Sequence, residues 1–251
     1  MTSPRRASRQ AAFPGLAFDE LRATSRPFSR ALLTTHHPLG ASTGYMAAAR
    51  EDWAGLVEAA CRVSTFAVEL SALAEDELPG LLAFLAGRPR LPFHYLSVHA
   101  PTKHRHLPED ELVARLAELP PHVDAVVAHP DLIADPAAWA PLGRRLVLEN
   151  MDPRKATGQR VEDLEGLYDV LPEAGFCLDI AHAAAVDDSM ALAHELLDAF
   201  GARLRQVHLS SLRAGRSSHV PLYRKDELRF AGVLRRCPDV PWILEAPPPP
   251  R

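Results

Sequence analysis

Residues 146–152 read LVLENMD. Three apolar residues run directly into Glu149 and Asn150, as if a buried strand ended in a charge. A carboxylate at the end of a core strand is costly unless something pairs with it. The pattern recurs along the chain: LSVH ends at His99, VVAH at His129, FCLD at Asp179, RQVH at His208 and WILE at Glu245. Side chains alternate faces along a strand, so Leu148, Leu178, Val207 and Leu244 point away from the polar residue beside them. Six apolar strands, each closed by a metal-type ligand, predict a ring of strands whose polar ends meet.

Reading outward gives the rest of the fold. Candidate strands are ALLTT (31–35), TFAVEL (65–70), FHYLSVH (93–99), DAVVAH (124–129), RLVLE (145–149), GFCLD (175–179), LRQVHL (204–209) and PWILE (241–245). Helix-like segments lie between them at 51–62, 75–87, 108–119, 136–142, 161–171, 189–201 and 225–236. The i, i+3, i+4 apolar spacing is clearest in EDELVARLAEL (109–119) and SMALAHELLDAF (189–200). Strand and helix in alternation imply right-handed βαβ units and a parallel sheet. Eight units in 251 residues predict an α/β fold, a (β/α)8 TIM barrel. A doubly wound open sheet is the alternative, but no Gly-rich dinucleotide loop supports it. Only six residues follow Glu245, four of them proline, so the eighth helix is expected to be missing. Residues 1–30 read as an N-terminal tail or a segment capping that gap, and 31–251 as a single barrel domain.

The composition is 47% apolar and 24% charged, that of an ordinary soluble globular chain. A net charge of −4 gives no global basic field toward nucleic acid or anionic membrane. No apolar run reaches the roughly 18 residues that span a bilayer. The start of the chain is basic without an apolar core, unlike a secretory signal. Cys61, Cys177 and Cys237 form neither a CxxC pair nor a disulfide framework. A reducing compartment, the cytoplasm, is the expectation.

Barrel enzymes keep their sites at the C-terminal mouth, where Glu149, Asp179, His208 and Glu245 would point inward. Like charges at that range repel, and a divalent cation is the natural partner. His182 follows Asp179 by three residues, at the start of the loop leaving strand six, and His219 lies in SSHVPL after strand seven. A lone strand histidine is usually a satisfied core or surface residue, and a lone strand-end carboxylate usually caps the next helix. Six ligand types in one relative position fit a metal centre better. Lys155, Arg213, Arg216 and Arg224 fall in mouth loops, able to clamp a phosphate or carboxylate or simply solvated. His36, His37 and Glu69 are substrate-contact candidates at best, His94 has no assigned role, and Cys177 is core filling on the inner face beside Asp179, with a thiol ligand as the lesser reading.

The motifs SVHAP, VVAHPD, LENMD, LDIAHA, VHLSSL, SSHVPL and ILEAP resemble those of the xylose isomerase-like TIM barrels, the superfamily of sugar isomerases, epimerases and endonuclease IV. The resemblance spans residues 31–247. It implies one metal held by Glu149, Asp179, His208 and Glu245, with His182 touching substrate, as in the epimerase-type members. By the endonuclease-type pattern, His99 and His129 join Glu149 on a second metal. A third would use His182 and His219, but Ser217 stands where that pattern has Asp, so this ion is expected to be weak or absent.

Three functional readings follow. An isomerase or epimerase of a sugar, sugar phosphate or related polyol would use Glu149 and Glu245 for proton transfer, with His182, His219, Lys155, Arg213 and Arg216 binding substrate. An endonuclease IV-like phosphoester hydrolase would explain His99 and His129. An iron-dependent redox or peptide-modifying enzyme, or a non-catalytic binding protein, is the third. Acidic charge and short mouth loops disfavour nucleic acid and make the isomerase acting on a small molecule the sequence's first choice. One or two divalent ions are expected, zinc or manganese first, then iron or cobalt. Oligomeric state is left open.

Overall fold

In a computed structural model of the chain, residues 37–46, 52–212 and 219–248 are described. Eight parallel strands close into a barrel in sequence order. They are β1 (Leu39–Ser42), β2 (Ala67–Ser71), β3 (Tyr95–His99), β4 (Ala125–Ala128), β5 (Leu146–Glu149), β6 (Gly175–Asp179), β7 (Leu204–Leu209) and β8 (Trp242–Leu244). Pairing of β1 with β8 completes the ring. The α-helices are α1 (Trp53–Val63), α2 (Leu78–Ala86), α3 (Glu109–Ala117), α4 (Val161–Val170), α5 (Ile180–Val186), α6 (Ala191–Phe200) and α7 (Arg224–Leu234). Among the described residues no helix follows β8, and none is long and apolar enough to cross a membrane.

The expected alternation of faces holds. Leu148, Leu178, Val207 and Leu244 lie in the large apolar cluster between sheet and helices. A separate inner cluster of Phe66, Ala67, Tyr95, Ala125, Val127, Val147, Cys177 and Ile243 fills the barrel's interior. Glu149 shares its face with Val147, and Asp179 with Cys177, so the polar strand ends sit on top of that plug.

Several expectations need correction. The first strand is Leu39–Ser42; residues 31–35 and the segment 1–30 lie outside the described residues. LGAS is a poor strand sequence, and its place is set by its neighbours. A Cβ on Gly40 would stand 2.5 Å from Ile243 Cδ1 and 2.9 Å from the Ala67 carbonyl oxygen. Gly40→Ala should therefore cost about 1–3 kcal/mol by overpacking; a thermal melt matching the parent protein would show that β1 yields freely there. Because β1 starts late, His37 lies before it, at the end of the barrel opposite the mouth. It stacks on Trp242 at 3.6 Å and hydrogen-bonds the Val240 carbonyl, so it is no substrate contact. Trp242 and Leu244 are buried.

Residues 136–145 form 3-10 turns rather than an α-helix. Pro141 removes a donor, and Gly143 takes a φ of 50° that breaks the spiral. The segment is tied down by Glu109 of α3, which accepts from the Trp139 indole at 2.6 Å and from the Ala134 and Asp135 amides.

Candidate metal centre

The stretch after β6 was expected to be a loop but is helical. Asp179 caps it by accepting from the His182 amide at 2.8 Å, and the alanines that follow favour helix. His182 is thereby fixed on the first turn of α5. Asn150 braces the same corner. Its side-chain amide donates to the Asp179 carbonyl and accepts from the Asp179 amide, locking the ends of β5 and β6 together.

Glu149 is 1% exposed and faces four imidazoles. Its Oε2 lies 3.4 Å from His99 Nε2, 3.6 Å from His129 Nε2 and 3.3 Å from His208 Nδ1, and its Oε1 lies 3.2 Å from His182 Nδ1. Outer partners choose which nitrogen three of these rings present. His99 donates from Nδ1 to the Ala100 carbonyl at 2.8 Å, which frees Nε2. His208 donates from Nε2 to Glu69 at 3.0 Å, which frees Nδ1. His182 donates from Nδ1 to the Asn150 carbonyl at 2.9 Å, leaving Nε2 facing Asp152 at 3.7 Å. Orienting imidazoles through the far nitrogen is how metal sites fix their tautomers.

Three groups of histidine and carboxylate donors result: His99, His129 and Glu149; Glu149, Asp179, His208 and Glu245; and Asp179, His182 and His219. Within each group one ligand atom per residue lies within 4.8 Å of the others. Glu149 joins the first group to the second, and Asp179 the second to the third. All six strand-end residues singled out in the sequence are thus drawn together, with His182 and His219 beside them. The third group was expected to lack a carboxylate; Asp179 supplies one. Ser217, Arg213 and Arg216 lie outside the described residues. Lys155 pairs with Asp131 at 2.8 Å, and the other Asp131 oxygen is 3.8 Å from His129 Nδ1. Arg224 opens α7 and is exposed. His94 lines a cavity of about 660 Å³ at the opposite end of the barrel, with Phe93, Leu96 and Asp124, away from this chemistry.

The donor set fits a cation on an independent ground. Glu149 Oε2, Asp179 Oδ2, His208 Nδ1 and Glu245 Oε2 are all buried without a hydrogen-bond partner. Buried polar atoms are rarely left so, and these four belong to one group. The proton affinities agree. Burial pushes Glu245 well above the carboxylate range, and the charges of Asp179 and Glu149 add to that push against the opposing pull of His208. Burial would also raise Glu149, but the His208 charge and the His182 and His99 imidazoles beside it hold it well below. Burial opposes charge on His182, yet Asp179 and Glu149 raise it to about 9. His129 is pushed well below its usual value by burial. Glu149 and Glu245 are thus driven in opposite directions, and a dication beside them would favour the charged form of both.

One layer down lies a network the strand-end pattern did not reveal. Glu69, fully buried on β2, accepts from Ser97 at 3.1 Å and Gln206 at 2.7 Å as well as from His208, and Tyr95 donates to Gln206 at 2.8 Å. Glu69 is thus a support for His208 rather than a substrate contact. The signal was present as polar residues at alternate positions, Tyr95-Ser97-His99 and Gln206-His208, all on the inner face. Glu69→Ala should leave the fold intact and weaken divalent-ion binding by about 10–100-fold. Calorimetric titration giving the parent affinity would disprove the support role. Also unforeseen was Asp152, buried and held by the Arg154 guanidinium at 2.6 and 2.8 Å, and lowered to about 2 as that pairing outweighs the effect of burial.

No protein-family model matches the sequence, and no curated protein matches it. Among solved structures the chain is similar to that of AsfvAP:AG, with 14% identity over 89% of this chain and 88% of that one and a TM-score of 0.46. It is also similar to L-ribulose 3-epimerase, with 11% identity over 84% of this chain and 81% of that one and a TM-score of 0.48. The barrel itself stands on its own strand pairing.

Proposed function

We propose that the chain is a divalent-metal-dependent phosphoester hydrolase with a multinuclear centre. The carrying observation is that His99 and His129 both aim Nε2 at the Glu149 oxygen that also faces His208. A single four-ligand centre has no use for those two histidines, whereas a second ion would be held by His99, His129 and Glu149. Ions held there would supply Lewis acidity toward a phosphoryl oxygen and lower the pKa of water. His182 and His219, with ring centroids 5.3 Å apart, stand beside the four-ligand group and can bind substrate oxygens. Lys155, held by Asp131 next to His129, would meet the substrate phosphate. The acidic net charge favours a small phosphoester over DNA.

A second reading keeps the isomerase or epimerase of a sugar, sugar phosphate or polyol. It is favoured by the disposition of Glu149 and Glu245. Both flank His208 Nδ1 at 3.3 Å, Glu149 from the end of β5 and Glu245 from just after β8, and their proton affinities are driven in opposite directions. Such divergent pairs divide acid and base roles. One experiment separates the readings. Protein loaded with zinc or manganese is offered phosphomonoesters and phosphodiesters on one side, and ketoses and sugar phosphates in deuterated water on the other. Phosphate release lost in His99→Ala supports the hydrolase. Deuterium incorporation beside a carbonyl, unaffected by His99→Ala, overturns it in favour of the isomerase.

A further inference from the structure

The donor groups include a third kind of atom. Cys177 Sγ, Glu149 and His208 place one ligand atom each within 4.8 Å of one another, and Cys177 and His208 are fully buried. The thiol is unpaired with other cysteines and lies on the inner wall, where Cys177 is the register partner of Glu149 across β5 and β6. Two neighbours of the sulfur are themselves incomplete: Glu149 Oε2 and His208 Nδ1 have no hydrogen-bond partner, and the outer nitrogen of His208 is already committed to Glu69. Both bare atoms belong to the four-ligand group, so the sulfur sits directly beneath the place where Glu149, Asp179, His208 and Glu245 meet.

We propose that Cys177 donates its sulfur to the ion held by Glu149 and His208, making the centre selective for thiophilic dications. The inference rests on the metal reading above. Coordination forms a sulfur–metal bond and sends the thiol proton to solvent. Nitrogen, oxygen and sulfur donors together suit zinc, cobalt or iron and disfavour manganese and magnesium, which prefer oxygen. A buried thiolate is poorly solvated, and a dication bound directly to it supplies the missing charge. Cys61 and Cys237 belong to the helix side of the sheet and have no such neighbours in these donor groups.

Cobalt(II) provides the test, because thiolate ligation gives an intense near-ultraviolet charge-transfer band apart from the visible d–d bands. The full-length protein loaded with cobalt should show both. Cys177→Ala, or Cys177→Ser if the alanine variant misfolds, should keep the visible bands and lose the near-ultraviolet band. Cys61→Ala and Cys237→Ala should keep both. The Cys177 variants should also lose affinity for cadmium by at least the roughly 10–100-fold that outer-shell changes cost, with manganese affinity little changed. Visible bands without the charge-transfer band in the unmodified protein would overturn the proposal while leaving the metal centre standing. No cobalt bound at all would remove the metal reading, and this inference with it.

Discussion

Glu149→Gln should abolish tight divalent-ion binding. Glu149 alone serves both the His99–His129 group and the four-ligand group, so no other single change touches so much of the centre. The amide keeps the volume and one acceptor, but it removes the charge and turns N–H donors toward nitrogens that must remain bare. Changes to outer-shell partners cost about 10–100-fold in metal affinity; losing the shared carboxylate should exceed that at both positions. Metal analysis after desalting is the readout, and ion content equal to the parent protein would defeat the assignment of Glu149. The ion-free protein gives a second, independent readout. Glu149 is held well below the carboxylate range when folded. Its charge therefore contributes stability that is fully present above the unfolded value of about 4.3 and lost as pH falls through the folded one. Glu149→Gln should melt below the parent at neutral pH, and the gap should close as pH drops below about 4.3. A gap that widened in acid would mean that the carboxylate is not held ionised by the histidines around it.

The strand ends were legible because two signals coincide there. An apolar run with period 2 fixes the face, and a polar residue at its C-terminal end has few structural reasons to be buried. Glu149, Asp179 and His208 each carry both signals. β1 lacks the first, since LGAS has no β-branched residue, and its strand conformation comes from the gap between β2 and β8. The better-looking ALLTT drew the assignment eight residues too early and misplaced His37 with it. Helix α5 was missed because its seven residues are too short to show a helical period; its signal was the cap at Asp179. The Glu69 network was hidden for a different reason. Its members come from β2, β3 and β7, and only barrel closure brings Glu69 and His208 within 3.0 Å across 139 positions of sequence. Local pattern gives the face of a strand, and cross-barrel partners need the strand register.

Two ions per chain are expected to survive desalting, not three. Three carboxylates, Glu149, Asp179 and Glu245, serve the three donor groups. Two dications bring four positive charges against these three and the thiolate proposed for Cys177; three bring six. The third group also has no carboxylate of its own. Its Asp179 is shared with the four-ligand group, and one Asp179 oxygen already caps α5 through the His182 amide, so the partnerless Oδ2 is the atom both positions need. His182 and His219 add two neutral nitrogens and no charge, and His219 is already engaged with the Ser210 hydroxyl at 2.6 Å. An ion there should be in fast exchange, leaving both histidines available to substrate oxygens. The first group is better provided, because His99 and His129 both face the Glu149 carboxylate, which caps no helix, and the His99 ring is fixed by the Ala100 carbonyl. His99→Ala should therefore lower the count from two to one and leave the ion at Glu149, Asp179, His208 and Glu245 in place, because it removes a donor from the first group only. Three equivalents retained by the parent protein would refute the argument from the shared Asp179. One equivalent, unchanged in His99→Ala, would return the protein to the single-ion isomerase reading, with His99 and His129 as buried neighbours of Glu149 and nothing more.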